Sequence, residues 1–376
     1  MKKIQMVDLQ TQYQKIKPAI DSAIIDVIEK AQFINGEEVT KFQSDLEKYL
    51  GVKHVIPCAN GTDALQIALM ALGCQPGDEI ITPSFTYIAT TEVMALLGLK
   101  PVFVEVEMDS FCIDPEQIEA AITPKTKAIV PVHLYGQAAN MDRIMEIAEK
   151  HNLYVVEDNA QAIGSDYFNN DGTTTKTGAL GTIGCTSFFP SKNLGCYGDG
   201  GAIFTNDDEL AKLIRMIANH GQSKKYYHDV VGCNSRLDTI QAAILRIKLR
   251  DLDSYIDARR KVADYYDNFF AKYPQVLTPV RDKYSKHVFH QYTVILEGLD
   301  RDGLQEHLAS KNVPSMIYYP VPAHRQKMFS MFGSENTDLP TTDWLTERVI
   351  SFPVHTEMEE EQLAYICAAI EEYITE

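Results

Sequence analysis

The sequence lacks long hydrophobic runs and any excess of basic residues. No window approaches the roughly 18 consecutive apolar residues that a membrane-spanning helix needs, and even the apolar residues 128–132 are flanked by Lys127 and His133. The 35 Lys and Arg are outnumbered by 52 Asp and Glu, which gives a net charge of −17 and a pI near 5.0. This balance argues against a nucleic-acid backbone or an anionic membrane surface as partner.

Paired cysteines and a targeting segment are also missing. The seven cysteines form no CxxC pair and no Cys/His cluster with zinc spacing, so we expect reduced thiols and no metal site. The first ten residues carry Gln5, Asp8 and Gln10 where a signal peptide needs an apolar segment of about 7–15 residues. These features predict a cytoplasmic protein that holds any anionic ligand through local groups.

The middle of the chain predicts a sheet. Of the 376 residues, 45% are hydrophobic and 23% are charged, a composition typical of a globular protein with one large domain or two modest ones. Helical patterns such as residues 62–72 and 142–151 separate short β-rich segments between residues 54 and 205. The segments are HVIPCA, EIITPS, PVFVEV, KAIVPVH, YVVED, GCTSFF and AIFT. This alternation predicts a three-layer α/β fold with a largely parallel sheet over about residues 35–245.

The pattern changes in the last third of the chain. Residues 235–267 form one amphipathic stretch without Gly or Pro, which suggests a helical bridge to a second unit. The remainder mixes a strand (HQYTVIL), a helix (GLQEHLASKN), a Pro-punctuated loop (YYPVPAH) and a terminal helix. We therefore expect a large domain of residues 1–245, including an N-terminal helical segment, and a small C-terminal α+β domain of residues 246–376. Ligand clefts are common at such domain interfaces.

The stretch Asn60-Gly61-Thr62-Asp63 follows a predicted strand and opens a predicted helix. Free N–H groups at a helix N-terminus bind anions, and Gly lets the backbone approach the ligand closely. The same residues are typical of a simple helix cap, so both interpretations stay open here. A P-loop is excluded because the sequence has no GxxxxGK[ST].

Two further motifs carry chemically informative side chains. The segment YVVEDNAQAIGS ends a strand at Glu157 and Asp158, where doubly wound sheets place ligands, although Asp158 could equally be a turn residue or a cap. In TSFFPSKNLGCYGDGG, Lys192 follows Ser187 by five residues. Most lysines are exposed to solvent, so an ordinary surface lysine is the alternative interpretation of Lys192. A lysine that forms a Schiff base must lose its proton, and a pyridine nitrogen needs an acidic partner. Pyridoxal 5'-phosphate is a cofactor that fits this order of features: an anion loop, then Asp158, then Lys192.

Seven motifs in order along nearly the whole chain resemble those of sugar aminotransferases that act on nucleotide-linked keto-sugars. They are NGTDAL, TPSFTYIAT, VHLYGQ, VEDNAQAIG, SFFPSKNLG, GDGGAIFTND and NSRLDTIQAAIL. The chain is thereby similar to the DegT/DnrJ/EryC1/StrS type of fold type I pyridoxal-phosphate enzymes. Within that group, CANGTDALQIA and TSFFPSKNLGCYGDGGAIFTNDDELA are most similar to UDP-2-acetamido-2-deoxy-3-oxo-glucuronate aminotransferases of bacterial surface-polysaccharide synthesis. The implied fold is a three-layer α/β/α large domain with a smaller α+β domain.

The resemblance implies roles for individual residues around the cofactor ring. Lys192 would carry the cofactor and move the proton between the substrate carbon and the cofactor carbon. Asp158 would pair with the pyridine nitrogen, and Gln161 would hydrogen-bond the ring hydroxyl oxygen. Tyr87 would stack on the ring face, unless it is an ordinary core residue.

The resemblance also assigns the phosphate and the substrate. The phosphate contacts would be Gly61, Thr62, Ser187 and, from the neighbouring subunit, Asn234, so that a homodimer would share its active sites; Asn234 could instead be a turn residue. Arg236 would bind the carboxylates of L-glutamate and of a uronic acid in turn, or form a salt bridge at the dimer interface. Tyr319 would contact the sugar, although Tyr318 departs from the His-Tyr-Pro motif of the family.

The implied function is a transamination in two half-reactions. L-Glutamate gives its amino group to pyridoxal 5'-phosphate and leaves as 2-oxoglutarate, and pyridoxamine 5'-phosphate then aminates a keto-sugar nucleotide. We expect amination at C3 of a UDP-linked 2-acetamido-3-oxo-hexuronic acid for a surface polysaccharide such as the O-antigen of lipopolysaccharide. A UDP- or dTDP-linked 4-keto sugar is the alternative. The family's dehydratase has His in place of the lysine, and a non-catalytic regulatory paralogue fits poorly with intact Lys192, Asp158 and Gln161.

Overall fold

The structure, a computed structural model, describes residues 2–375. The strands of its central sheet are β1 (His54–Cys58), β2 (Glu79–Pro83), β3 (Lys100–Val104), β4 (Thr126–Ile129), β5 (Tyr154–Asp158), β8 (Ile183–Ser187) and β9 (Gly201–Thr205). They lie in the order β1-β9-β8-β5-β4-β2-β3. Two short ribbons, which the sequence patterns did not predict, pair β6 (Asp166–Phe168) with β7 (Thr174–Lys176) and β10 (Gln222–Lys224) with β11 (Tyr227–His228).

The predicted, mostly parallel sheet is confirmed, with one antiparallel strand. The pairs β2–β3, β2–β4, β4–β5 and β5–β8 are parallel, whereas β9 is antiparallel to both β1 and β8. Parallel neighbours need a crossover connection, but a loop alone can return the chain to an antiparallel neighbour. Residues 188–200 are such a loop, and they carry the lysine motif.

Helices cover both faces of the sheet. They are α1 (Leu9–Lys30), α2 (Glu37–Leu50), α3 (Gly61–Ala71), α4 (Ala89–Leu96), α5 (Pro115–Ala121), α6 (Met141–His151), α7 (Asp208–Ile217), α8 (Thr239–Leu249), α9 (Leu252–Phe270), α10 (Arg301–Ser310), α11 (Pro340–Thr346) and α12 (Glu360–Thr375). Successive strand residues point to opposite faces: Ile80 and Val156 pack with α3, α4 and α7, while Ile81 and Val155 pack with α5 and α6. This arrangement confirms the three-layer α/β/α fold.

A second, smaller sheet follows in the chain. Its strands β12 (Val276–Leu277), β13 (Tyr292–Leu296) and β14 (Val349–Phe352) are antiparallel. They pack with α10, α12 and the end of α9 around a separate apolar core that includes Tyr266, Phe270 and Ile366. The predicted strand and both predicted helices of this region are present.

The amphipathic stretch of residues 235–267 is not a single helix. The Asp251 N–H donates to the Lys248 carbonyl at 3.1 Å, and this tight turn ends α8 before α9 begins. The predicted boundary between residues 245 and 246 falls inside α8. Beyond it, Leu249 and Leu252 still pack in a core beside the large sheet. Val262 is the first residue of α9 in the second core. We therefore propose that the division between the domains lies within α9.

The cysteines carry no disulfide, and the helices fit a chain without membrane spans in the part that the structure describes. All seven cysteines are free. Burial raises the pKa of Cys74 and Cys196 to about 11 and that of Cys367 to about 12, so these side chains are thiols at neutral pH. Between residues 2 and 375, no helix combines the length and the apolar character needed to cross a membrane.

Candidate active site

A cavity of about 650 Å³ opens at the carboxyl ends of β5 and β8. Its walls combine loops of the large sheet with residues near the second, smaller sheet, such as His290 and Tyr319, and its volume lies in the range of small-molecule sites. The predicted site residues that line it are Gly61, Thr62, Tyr87, Asp158, Gln161, Ser187, Lys192 and Tyr319. Residues far apart in sequence are thus brought to one site.

The N-terminus of α3 forms an anion-sized cradle beside Ser187. The side chain of the cap residue Asn60 accepts a hydrogen bond from the Asp63 N–H at 2.7 Å. The N–H groups of Gly61 and Thr62 lie in the first turn, where no helix carbonyl can accept them. A Cβ on Gly61 would lie 2.7 Å from Ser187 Cβ, so a larger residue would fill the cradle. The anion-site interpretation fits this geometry.

Asp158 is fixed through both carboxylate oxygens. It is the last residue of β5 and 5% exposed. Its Oδ2 accepts a hydrogen bond from Thr90 Oγ1 at 2.8 Å, and its Oδ1 accepts from the Ala160 N–H at 3.1 Å. Burial raises the pKa of Asp158, while these two bonds and nearby Lys192 oppose that shift. A buried, oriented carboxylate is the partner that a protonated pyridine nitrogen needs.

Glu157 points away from the cavity and serves the fold. Its carboxylate accepts hydrogen bonds from the N–H groups of residues 178, 180 and 181 at 2.8, 2.8 and 2.6 Å. His133 Nε2 lies 2.8 Å from it, and His133 Nδ1 accepts from the Ala139 N–H, so Nε2 carries the proton. The two adjacent carboxylates therefore have different tasks.

Lys192 lies on the loop between β8 and β9, and its side chain lines the cavity. Burial lowers the pKa of Lys192 to about 8, with Asp158 opposing the shift, so a useful fraction is amine near neutral pH. The loop is held on both sides of the lysine. The Lys192 N–H donates to the Phe189 carbonyl at 2.8 Å, and Asn193 Nδ2 donates to the Val288 carbonyl at 3.0 Å.

Tyrosines and Gln161 form another part of the cavity wall. Gln161 Oε1 accepts from the Tyr135 N–H at 2.7 Å, and Gln161 Nε2 donates to Tyr319 Oη at 3.0 Å. The amide retains one further hydrogen for a ligand oxygen. Tyr87 is 56% exposed, and its ring centroid lies 6.0 Å from that of Tyr319. Its ring face is therefore open to a planar ligand, as the stacking prediction requires.

Two predicted site residues lie outside this cavity. Asn234 is exposed, and Arg236 Nη1 donates to Asn219 Oδ1 at 3.3 Å. The cavity walls of the described chain hold one cationic side chain, Lys192, beside three carboxylates. The described chain therefore offers a ligand with several negative charges one side-chain cation and the N–H groups at the start of α3.

The sequence reasoning missed Thr90 and His290, and both line or support the cavity. A weak signal existed for Thr90, since it follows Tyr87 by three residues, and in the structure the Thr90 N–H closes a turn onto the Tyr87 carbonyl at 3.3 Å. None existed for His290, which is the first residue of the predicted strand HQYTVIL.

Thr90→Val should lower kcat about tenfold, because it removes the hydroxyl that orients Asp158. Thr91→Val is the matched control: its hydroxyl donates to the carbonyl of Ile88, the residue just before the helix, and does not contact Asp158. Steady-state kinetics of both variants, with melting temperatures, test the contact. Equal kcat values for the two variants would remove Thr90 from the site.

Comparisons with known proteins agree with this geometry. The model of the DegT/DnrJ/EryC1/StrS aminotransferase family matches residues 14–371. The chain is 47% identical to UDP-2-acetamido-2-deoxy-3-oxo-D-glucuronate aminotransferase of Pseudomonas aeruginosa over 98% of this chain and 99% of that protein. It is 45% identical to UDP-N-acetyl-3-dehydro-alpha-D-glucosamine 3-aminotransferase of Acidithiobacillus ferrooxidans, over 98% and 97%.

A solved structure with cofactor is also similar. NtdA from Bacillus subtilis, with bound pyridoxamine phosphate (PMP), superposes with a TM-score of 0.92 at 30% identity, over 100% of this chain and 86% of that one. The cradle at Gly61, the oriented carboxylate of Asp158 and the low-pKa amine of Lys192 fit such a cofactor. The predictions of family, fold, enzyme class and cofactor are confirmed: the chain belongs to the DegT/DnrJ/EryC1/StrS family and is a pyridoxal-phosphate-dependent aminotransferase.

Proposed function

We propose that this enzyme transfers the amino group of L-glutamate to C3 of a UDP-linked 2-acetamido-3-oxo-hexuronic acid, in the synthesis of a bacterial surface polysaccharide. The observation that carries the proposal is the 47% identity, over nearly the full length of both chains, to an enzyme named for that substrate. The 45% identical relative is named for a 3-dehydro UDP-sugar as well, which favours C3 over C4. Seven free cysteines support a cytoplasmic location.

The cavity residues divide the chemistry among them. Pyridoxal phosphate supplies an electron sink for the bond that breaks at the amino carbon. The Lys192 amine, in the fraction that its pKa of about 8 allows, takes and returns the proton at that carbon. The Asp158 carboxylate keeps the pyridine nitrogen protonated. Gly61, Thr62 and Ser187 hold the phosphate, and Tyr87 and Gln161 orient the ring.

The second half-reaction uses the same groups in reverse. Glutamate has by then left as 2-oxoglutarate, and the sugar ketone receives the nitrogen while its oxygen leaves as water. One lysine can serve both directions because it alternately accepts and donates the same proton. We infer that Tyr319 contacts the sugar, which its position at the cavity wall beside Gln161 supports.

We propose further that the active site is completed by a second copy of the chain. Asn234 and Arg236 lie outside the cavity of their own chain, and the cavity has too few cations for a phosphate and a carboxylate. The neighbouring surface is apolar: Val231 is 83% exposed, and exposed Ile34 forms a bridge with Asp238. If a second copy of the chain covered this surface, Asn234 would lie at the cofactor phosphate in the partner's cavity. Arg236 would lie at the carboxylate of the substrate bound there.

Mixed dimers test the shared site. Lys192→Ala and Arg236→Ala should each be nearly inactive alone, and unfolding and refolding them together should restore activity well above their sum. The reason is that a mixed dimer contains one site with both native residues. Activity that stays at the sum would place Arg236 and Lys192 in the same subunit's site or make Arg236 structural.

The substrate is tested by following ¹⁵N from labelled glutamate into the product. The enzyme is incubated with UDP-linked 2-acetamido-3-oxo-glucuronate, with the corresponding 3-oxo sugar that lacks the carboxylate, and with a UDP-linked 4-keto sugar. We expect turnover of the first sugar. The KM for the second should be at least about tenfold higher, because a sugar without the carboxylate cannot bind the Arg236 guanidinium. Turnover of the 4-keto sugar alone would move the reaction to C4.

A further inference from the structure

His290 is a buried side chain with an unpaired nitrogen at the wall of the cavity. It lies just before β13 in the small domain and is 5% exposed. It lines the same cavity as Lys192. Its Nδ1 is buried and has no hydrogen-bond partner within residues 2–375. Buried polar atoms are nearly always paired in folded proteins, so an orphan at a ligand cavity points to a ligand.

The loop that carries His290 is held in place from several sides. Arg259 Nη1 donates to the carbonyls of Phe289 and His290, each at 3.2 Å. Asn193, next to Lys192 in sequence, donates to the Val288 carbonyl at 3.0 Å. Phe289 has a φ of 47°, in the left-handed region that non-glycine residues seldom adopt. A backbone segment that several contacts fix in an uncommon conformation is characteristic of preorganised ligand sites.

The charge state of His290 restricts what it can recognise. Burial, and then the positive charges of Lys192 and Arg259, lower the pKa of His290 well below its ordinary value, so the ring is neutral at neutral pH. A neutral imidazole donates one hydrogen bond and accepts one. It suits a neutral polar group, whereas the carboxylates of glutamate require cations such as Arg236. Of the two substrates, only the sugar offers neutral hydroxyl and acetamido groups.

We propose that His290 is a substrate-contacting residue that selects the sugar, through a hydrogen bond between its imidazole and a neutral polar group of the ring, a hydroxyl or the acetamido substituent. This inference rests on the proposed nucleotide-sugar function. It assigns to the small domain a share in sugar recognition beyond Tyr319. His290 has no such role toward glutamate, so the two half-reactions should respond differently when it is changed.

The test uses the holoenzyme with His290→Phe, His290→Asn and His290→Gln. Asparagine places an amide near the position of Nδ1, and glutamine places one near Nε2. His355→Phe is the matched control, because His355 is also buried with an unpaired nitrogen but lies outside the cavity lining. Each half-reaction is measured in single turnover, and binding of the UDP-linked 3-amino product is measured by calorimetry.

We expect His290→Phe to weaken product binding and to lower kcat/KM of the sugar half-reaction about tenfold or more. The glutamate half-reaction should change less than about threefold, and one amide variant should restore product binding. Equal losses in both half-reactions, or no loss of product binding relative to His355→Phe, would overturn the inference. If the wild-type enzyme neither binds the product nor aminates a UDP-sugar, the proposed function itself fails.

Discussion

Lys192→Ala should remove amino transfer by several orders of magnitude while leaving the protein folded. In the proposed mechanism the same side chain attaches the cofactor and carries the proton in both half-reactions, and groups that act as one unit produce losses of this size. Burial disfavours the charged form of Lys192 and lowers its pKa to about 8. Because alanine carries no charge to bury, the fold should tolerate the substitution. Turnover with glutamate and the 3-oxo sugar, together with circular dichroism, checks both statements.

Lys248 provides the matched control for that experiment. It is also buried, and desolvation lowers its pKa to about 8 as well. Its Nζ, however, donates to the Gly195 carbonyl and does not line the cavity. Borohydride reduction of the holoenzyme should attach the cofactor to Lys192 in wild type and in Lys248→Met. Attachment at Lys248, or measurable turnover of Lys192→Ala, would contradict the role assigned to Lys192.

Asp158→Asn should lower kcat by at least about a hundredfold, the scale at which one preorganised electrostatic contact acts. The amide occupies the same space but carries no charge, so the pyridine nitrogen would lose its proton and the electron sink would weaken. The hydrogen bond from the Ala160 N–H can remain, because the amide oxygen still accepts it. Steady-state kcat with saturating glutamate and sugar nucleotide measures the effect.

Glu157→Gln separates this effect from a loss of structure. Glu157 neighbours Asp158 but accepts three backbone N–H groups and faces His133 away from the cavity. Its substitution should lower the melting temperature and leave kcat per folded enzyme close to wild type. If Glu157→Gln lowered kcat as much as Asp158→Asn, the assignment of different functions to the two carboxylates would be wrong.

Local patterns in the sequence were sufficient for the elements that carry the site. The seven β-rich segments form the central sheet, and the helices expected at residues 62–72 and 142–151 start and end within a residue of α3 and α6. Their places at the ends of strands made the anion loop and Asp158 candidates, and the family resemblance then chose between the interpretations that the residues alone left open. Lys192 needed the additional resemblance, because a lysine in a loop has no distinguishing local pattern.

The contacts between distant segments could not be read from the sequence. Thr90 and Asp158 meet only because α4 follows β2 and β5 ends beside it, and His290, just before β13, lines the same cavity as Lys192. The end of α8 was missed for a related reason. Residues 235–267 keep one amphipathic pattern, while their apolar residues pack in two separate cores. The proposed roles of Asn234 and Arg236 depend on a second copy of the chain, and the contacts of one chain do not reveal them.

The most direct measurement is the visible absorption spectrum of the cofactor-loaded enzyme, first with excess L-glutamate and then with UDP-linked 2-acetamido-3-oxo-glucuronate after the amino acid is removed. We expect glutamate to abolish the band of the lysine-bound cofactor and the 3-oxo sugar to restore it, with Lys192→Ala showing neither change. A band that glutamate does not alter would contradict the proposed amino donor. A band that returns with the 4-keto sugar and not with the 3-oxo sugar would contradict the proposed acceptor.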